Sequence, residues 1–157
     1  MPQPAEPKPP LRIVRLVGVY NADSSLRREL AYWFGARLGR AHCALCDITH
    51  GLVRERSEWK ACRTGLPVPF DTYHRDDQPD TIRSALEGIA PAVVAEIATG
   101  MVLLLGPDGL TECGGSTDRL VTAIEDAVRT AGLEWPTLRS RWDQARRHAA
   151  PTGEQVA

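Results

Sequence analysis

The fold of this 157-residue chain is decided by the stretch Ile89-Ala90-Pro91-Ala92-Val93-Val94-Ala95-Glu96-Ile97. A proline stands directly before an apolar run, and a short run rich in β-branched residues predicts a buried strand. Ala98-Thr99-Gly100 predicts a tight turn into a second strand at Met101–Leu105, so the two runs form an antiparallel hairpin. Because cis peptide bonds are nearly confined to X-Pro, we predict a cis bond between Ala90 and Pro91.

The rest of the chain alternates between strand and helix patterns. Leu11–Tyr20 is almost continuously apolar, which suits a central strand covered on both faces. We then predict a helix from Leu26 to about Leu38, a short strand at Leu52–Val53, and a helix that is capped by Ser57 and ends near Gly65. A strand at Val68–His74 follows, and then a helix that Pro79 and Asp80 open, with Ile82, Leu86 and Ile89 facing inward. After the hairpin we predict a turn at Pro107–Gly109, a helix after Gly114-Gly115-Ser116-Thr117, and a helix within Trp135–His148. This order predicts an α/β sandwich with a mixed sheet.

The length is that of one domain. We expect a disordered proline-rich arm at residues 1–10, the domain itself at 11–131, and a C-terminal helical extension with a loose tail at 132–157. The formal net charge is −1, from 19 basic and 20 acidic residues. A near-neutral balance gives no reason to expect a nucleic acid or an anionic membrane as partner.

The sequence predicts a cytoplasmic protein. The N-terminal segment has no apolar signal core, and no apolar run is long enough to span a bilayer. Thiols in the cytoplasm are kept reduced, so a cysteine pair there is more often catalytic, redox-sensing or metal-binding than a structural staple.

Two of the four cysteines and two of the four histidines lie in one stretch, His42-Cys43-Ala44-Leu45-Cys46-Asp47-Ile48-Thr49-His50. Glycines at 39 and 51 bracket a short predicted helix over about residues 42–50. In such a helix Cys43, Cys46 and His50 share one stripe. The stripe can serve as a redox pair, as a set of metal ligands, or as a buried apolar face, since free cysteine is often buried.

The hairpin with its preceding proline resembles the thioredoxin-like superfamily, over roughly residues 11–131. The resemblance implies a thioredoxin-like three-layer sandwich with a mixed central sheet, and a cis-proline beside the active site. The backbone next to that proline would bind extended substrate, a role that falls on Ala90 and Pro91. Gly114-Gly115 is similar to the glycine region before that family's last helix.

The cysteine pair departs from that family's pattern. The family places C-x-x-C directly after the first strand, where this chain has Asn21-Ala22-Asp23-Ser24-Ser25. The family's catalytic roles therefore do not transfer to Cys43 and Cys46 by position. The chain also resembles a group of uncharacterised bacterial proteins with a Tyr-Asn-Ala-Asp start and a Cys-x-Leu-Cys motif, and that likeness implies no activity.

Three functions stay open at this point. In the first, Cys43 and Cys46 cycle between dithiol and disulfide with a thiol/disulfide partner protein or small thiol, His42 and His50 stabilise the thiolate, and Cys62 or Cys113 is a further resolving thiol. In the second, Cys43, Cys46 and His50 bind zinc or copper, with Cys62, Cys113 or His74 as a fourth ligand. In the third, the cysteines are inert and the chain is a non-catalytic binding scaffold.

Overall fold

A computed structural model describes residues 8–21, 44–49 and 57–137. The strands are β1 (Leu11–Val19), β2 (Phe70–Tyr73), β3 (Ala92–Ile97), β4 (Gly100–Leu105) and β5 (Leu133–Glu134). The helices are α1 (Ala44–Thr49), α2 (Ser57–Gly65), α3 (Asp80–Leu86), α4 (Pro107–Glu112) and α5 (Thr117–Thr130). The predicted elements at Leu26–Leu38 and Leu52–Val53, most of the predicted Trp135–His148 helix and most of the N-terminal arm lie outside the described residues.

The sheet is mixed, as predicted. Its strand order is β2-β1-β3-β4, and β5 also pairs with β1. Strand β1 runs parallel to β2 and β5 and antiparallel to β3, and β3 runs antiparallel to β4. The α/β class, the central position of β1 and the β3–β4 hairpin are therefore confirmed.

The peptide bond between Ala90 and Pro91 is cis, which confirms that prediction. Pro91 is buried, and Ala92, the residue after it, pairs with Val19 at the end of β1. The proline thus lies beside the carboxyl end of the central strand.

Two buried clusters lie on opposite faces of the sheet, because neighbouring residues of a strand point to opposite faces. Leu16 belongs to the larger cluster, which also takes in Leu45, Trp59, Leu110, Leu120, Ile124 and Val128 from helices α1, α2, α4 and α5. Val17 belongs to the smaller cluster, which takes in Ile82 and Leu86 from α3. Trp59 packs edge-to-face on Phe70 with ring centroids 4.8 Å apart, a favoured geometry for aromatic pairs.

Two details of the prediction were wrong, and one short strand was not predicted. The predicted turn at Pro107 is the start of α4, because proline is well suited to the first helical position. Ile89 is 40% exposed, since Glu87 and Gly88 take positive φ after α3 and turn the chain away from the helix stripe. Leu133–Glu134 forms a short strand that was not predicted, because the turn at Gly132, with φ of 67°, returns the chain to pair with Leu11.

Candidate functional site

Helix α1 carries the described half of the cysteine motif and lies close against β1. Ala44, Leu45 and Ile48 are buried in the larger cluster. A Cβ atom at Gly18 of β1 would lie 3.0 Å from Cδ2 of Leu45 and 3.0 Å from Cε1 of Phe70. The missing side chain at Gly18 therefore lets α1 approach the sheet.

Cys46 is half-buried on α1, packs against the larger cluster and is disulfide-bonded. Cys62 and Cys113, by contrast, are free. The helix predicted for the motif is confirmed over Ala44–Thr49. The other residues predicted for this site, His42, Cys43 and His50, lie outside the described residues.

Two buried hydroxyl groups connect α1 to the end of β1. The hydroxyl of Thr49 donates to the backbone oxygen of Leu45 at 3.0 Å. The oxygens of Tyr20 and Thr49 lie 3.1 Å apart. Because the single hydroxyl hydrogen of Thr49 goes to Leu45, the Tyr20 hydroxyl is the donor to Thr49. Both residues are buried, with exposed fractions of 3% for Tyr20 and 0% for Thr49.

The hydrogen bonds from Tyr20 to Thr49 and from Thr49 to Leu45 connect β1 to the peptide group of Cys46. The carbonyl oxygen of Leu45 and the amide nitrogen of Cys46 belong to the same peptide unit, which is planar. A hydrogen bond that fixes the carbonyl therefore also fixes the amide of Cys46. Tyr20, Thr49 and Leu45 form a chain of hydrogen bonds from β1 to this peptide, which we call the tyrosine relay.

His74 follows β2 and lies beside Tyr20, with ring centroids 5.4 Å apart. Its Nδ1 atom is 3.0 Å from Oδ2 of Asp77, and its backbone N–H donates to Oδ1 of the same carboxylate. A carboxylate oxygen accepts hydrogen bonds, so Nδ1 is the donor in this contact. Arg75, Asp76 and Asp77 are exposed, whereas His74 is half-buried.

These groups meet where the parallel strands β1 and β2 end. The backbone N–H of Tyr20 donates to the oxygen of Tyr73 at 2.8 Å, which continues the pairing past β1. Arg75 Nη1 donates to Asn21 Oδ1 at 2.9 Å. Polar side chains therefore gather at the carboxyl edge of these strands, the edge at which α/β proteins generally bind ligands.

The free thiols are held in the protonated form. Burial raises the pKa of Cys62, and the charge of Asp118 raises it further. Burial also raises the pKa of Cys113, Glu112 adds to the effect and Arg119 partly opposes it. Thiolate is the nucleophilic form of cysteine, so neither environment activates these thiols.

A groove of about 400 Å³ between α4 and α5 passes Cys113. It is lined by Gly109, Glu112, Cys113, Arg119, Thr122, Ala123 and Asp126. The Cys113 thiol donates to the backbone oxygen of Gly109 at 3.4 Å, so it is directed into its own helix turn. The groove thus offers both signs of charge but no activated nucleophile.

Within residues 8–21, 44–49 and 57–137, no group of three His, Cys, Asp or Glu side chains is placed to hold a metal ion. Cys62, Cys113 and His74, the predicted fourth ligands, do not form such a group with other described residues. Two of the three predicted main ligands, Cys43 and His50, lie outside these ranges. The zinc or copper hypothesis stays a prediction.

Comparisons with protein-family models, curated proteins and solved structures found no match to this chain. No helix in the described part of the chain has the length and apolar character needed to cross a membrane. What the chain does must therefore be argued from its own residues.

Sequence reasoning named Cys46 and Pro91, and named His74 as a possible fourth metal ligand, but it did not single out Tyr20 or Thr49. Tyr20 was interpreted only as part of an apolar strand. A tyrosine at the carboxyl end of a buried strand is itself a usable signal, because a buried phenol needs a hydrogen-bond partner. Which partner it finds depends on the packing of α1 against β1.

Proposed function

We propose that this protein is a thiol–disulfide redox protein in which Cys43 and Cys46 form the reactive pair. The observation that carries the proposal is the chemical state of the described cysteines: Cys46 is disulfide-bonded, while Cys62 and Cys113 are free thiols with raised pKa. In the sequence Cys43 stands three positions before Cys46, and it is the partner that this proposal assigns to Cys46. Only two residues separate them, so closing this loop costs little chain entropy.

The fold that we propose for this chemistry is a thioredoxin-like three-layer sandwich. Support comes from the strand order β2-β1-β3-β4, with β2 parallel and β3 antiparallel to β1, and from the cis-proline before β3. Buried clusters on both faces of the sheet fit three layers. The position of the cysteines, well past the end of β1 in sequence, remains a departure from that family.

The reaction would be exchange with a dithiol or disulfide partner. A partner thiolate attacks one sulfur of the oxidised pair and forms a mixed disulfide, which releases the other cysteine as thiolate. A second partner thiolate then attacks the partner's own sulfur in that mixed disulfide. The partner leaves oxidised, and the protein gains two electrons and, after protonation, two thiol hydrogens.

Partners and location remain part of the proposal. A thiol/disulfide protein or a small thiol in the cytoplasm would supply the second couple. Thiols there are kept reduced, so a disulfide in this protein would be transient and part of a redox cycle.

The test is a redox titration of the full chain in buffers of oxidised and reduced dithiothreitol, with thiols counted by mass spectrometry after alkylation. We expect one two-electron transition, lost in Cys43→Ser and Cys46→Ser and kept in the matched control Cys62→Ser. Metal content is measured on the same samples. A metal ion bound in wild type and lost in Cys46→Ser, without a redox transition, would replace this proposal by the metal-binding alternative. If wild type shows neither a redox transition nor a bound metal ion, the third hypothesis, a non-catalytic binding scaffold, is the one that remains.

A further inference from the structure

We propose that Tyr20 is a positioning residue for the cysteine pair and that the tyrosine relay stabilises its disulfide form. This inference rests on the proposed function. Tyr20 acts through Thr49 on the peptide group that joins Leu45 to Cys46.

The relay is built from groups that have little freedom. Tyr20 follows β1 directly, and its own N–H is bonded to Tyr73, so its backbone is fixed to the sheet. The ring of His74 packs beside the phenol, and His74 is itself held by Asp77. Thr49 is fully buried one helical turn after Leu45. The phenol hydroxyl is therefore a fixed donor, and α1 must keep its last turn in register to meet it.

The redox state of Cys46 should affect the geometry of the peptide group that joins Leu45 to Cys46. An ideal helical turn does not bring sulfurs at i and i+3 into bonding range without adjustment of the backbone. We therefore expect that opening or closing the proposed disulfide shifts the peptide unit between Leu45 and Cys46. The relay holds that peptide in the arrangement that it has while Cys46 is disulfide-bonded.

A hydrogen bond that is stronger in one redox state stabilises that state relative to the other. Losing the Tyr20 hydroxyl should therefore destabilise the disulfide relative to the dithiol. The expected change in the dithiol–disulfide equilibrium constant is about five-fold toward the dithiol, the size of one buried neutral hydrogen bond. A residue with a purely structural role would lower the stability of both redox states alike and leave this constant unchanged.

The experiment compares Tyr20→Phe with Tyr73→Phe in the same dithiothreitol titration. Both variants remove one phenolic oxygen. The Tyr73 hydroxyl accepts from Arg15 Nη1 at 3.3 Å and belongs to a different group of side chains. We expect the constant to shift about five-fold in Tyr20→Phe and to stay within two-fold of wild type in Tyr73→Phe.

Thr49→Val provides a second route, since it removes the middle hydroxyl and keeps a similar volume. It should shift the constant in the same direction, and the double variant with Tyr20→Phe should shift it no further, because both changes break one relay. A redox transition that neither variant moves would overturn the inference and leave the proposed function standing. Absence of any transition in the wild type would overturn both.

Discussion

Leu45 of α1 lies directly against Gly18 of β1, so closely that a Cβ on Gly18 would come within 3.0 Å of Leu45 Cδ2. This added Cβ would also lie 3.0 Å from the ring of Phe70. Contacts this short require the neighbours to move, and both neighbours are buried. The helix that carries Cys46 therefore depends on a glycine in the central strand for its distance from the sheet.

Gly18→Ala should destabilise the protein by about 1–3 kcal/mol, the range for overpacking a core. The matched control is Gly65→Ala, because a Cβ there meets nothing within 4 Å. The control should change the free energy of unfolding little. Urea unfolding followed by far-ultraviolet circular dichroism measures both. Equal stability of Gly18→Ala and wild type would show that α1 is free to move away from β1.

Helix α5 begins with a hydrogen-bonded cap, and two substitutions of the cap residue should differ in their cost to stability. The Ser116 side chain accepts from the Arg119 N–H at 3.3 Å. Ser116→Ala should cost about 1 kcal/mol, while Ser116→Gly should cost only a few tenths, since glycine suits the extended cap backbone. The urea midpoints of the two variants should therefore rank Gly above Ala. The reverse order would mean that the side-chain oxygen does not stabilise this helix end.

The sequence predicted those features that depend on neighbours along the chain. The hairpin after Pro91, the cis bond before it and the helix after Ser116-Thr117 each follow from residues within a few positions of each other. Helix α4 was missed because proline, aspartate and glycine in succession are as typical of turns as of a helix start. The strand at Leu133–Glu134 is too short to show any alternation.

The tyrosine relay shows why the rest of the site was out of reach. Tyr20 and Thr49 are 29 positions apart, and nothing local in either segment indicates the other. Their contact follows from the close packing of α1 on Gly18, which is a property of the folded chain. The proposed redox pair is visible in the sequence because thiol–disulfide exchange needs two nearby sulfurs. The groups that we propose to position those sulfurs carry no such spacing rule.

Arg15 joins three strands on one face of the sheet. From β1 it bonds Glu96 of β3 through Nε and Asp71 of β2 through Nη1, the latter at 2.8 Å. The hydrogen bond to Glu96, followed by that to Asp71, raises the pKa of Arg15 above its ordinary value. The guanidinium therefore stays charged throughout the range in which the protein can be studied.

Arg15→Met keeps the apolar stem and leaves two carboxylates without their shared cation. The groups are partly exposed, so the expected cost is modest, about 1 kcal/mol at low salt. The cost should shrink in 1 M sodium chloride, where the screening length is about 3 Å. Arg129→Met, which breaks an exposed pair with Asp126, is the control and should have almost no effect. A salt-independent loss in Arg15→Met would point to packing of the stem rather than charge.

The stability of the protein should fall at alkaline pH, partly because of Cys113. Burial, then the charge of Glu112, raises the pKa of this thiol above the value of 9.0 that applies without these effects. A raised folded-state pKa means that the unfolded chain releases this proton first as the pH rises. The stabilisation is therefore complete below about pH 9 and is lost as the pH rises through the folded-state value.

Cys113→Ala removes this contribution, so its free energy of unfolding should fall less steeply above pH 9 than that of wild type. The other alkaline titrations are common to both proteins and cancel in the difference. Urea unfolding at half-unit steps from pH 7 to about pH 10.5 measures the two slopes. The variant also loses packing, but that loss is a constant offset and leaves the slope unaffected. Parallel curves for variant and wild type would show that the buried thiol is not linked to folding.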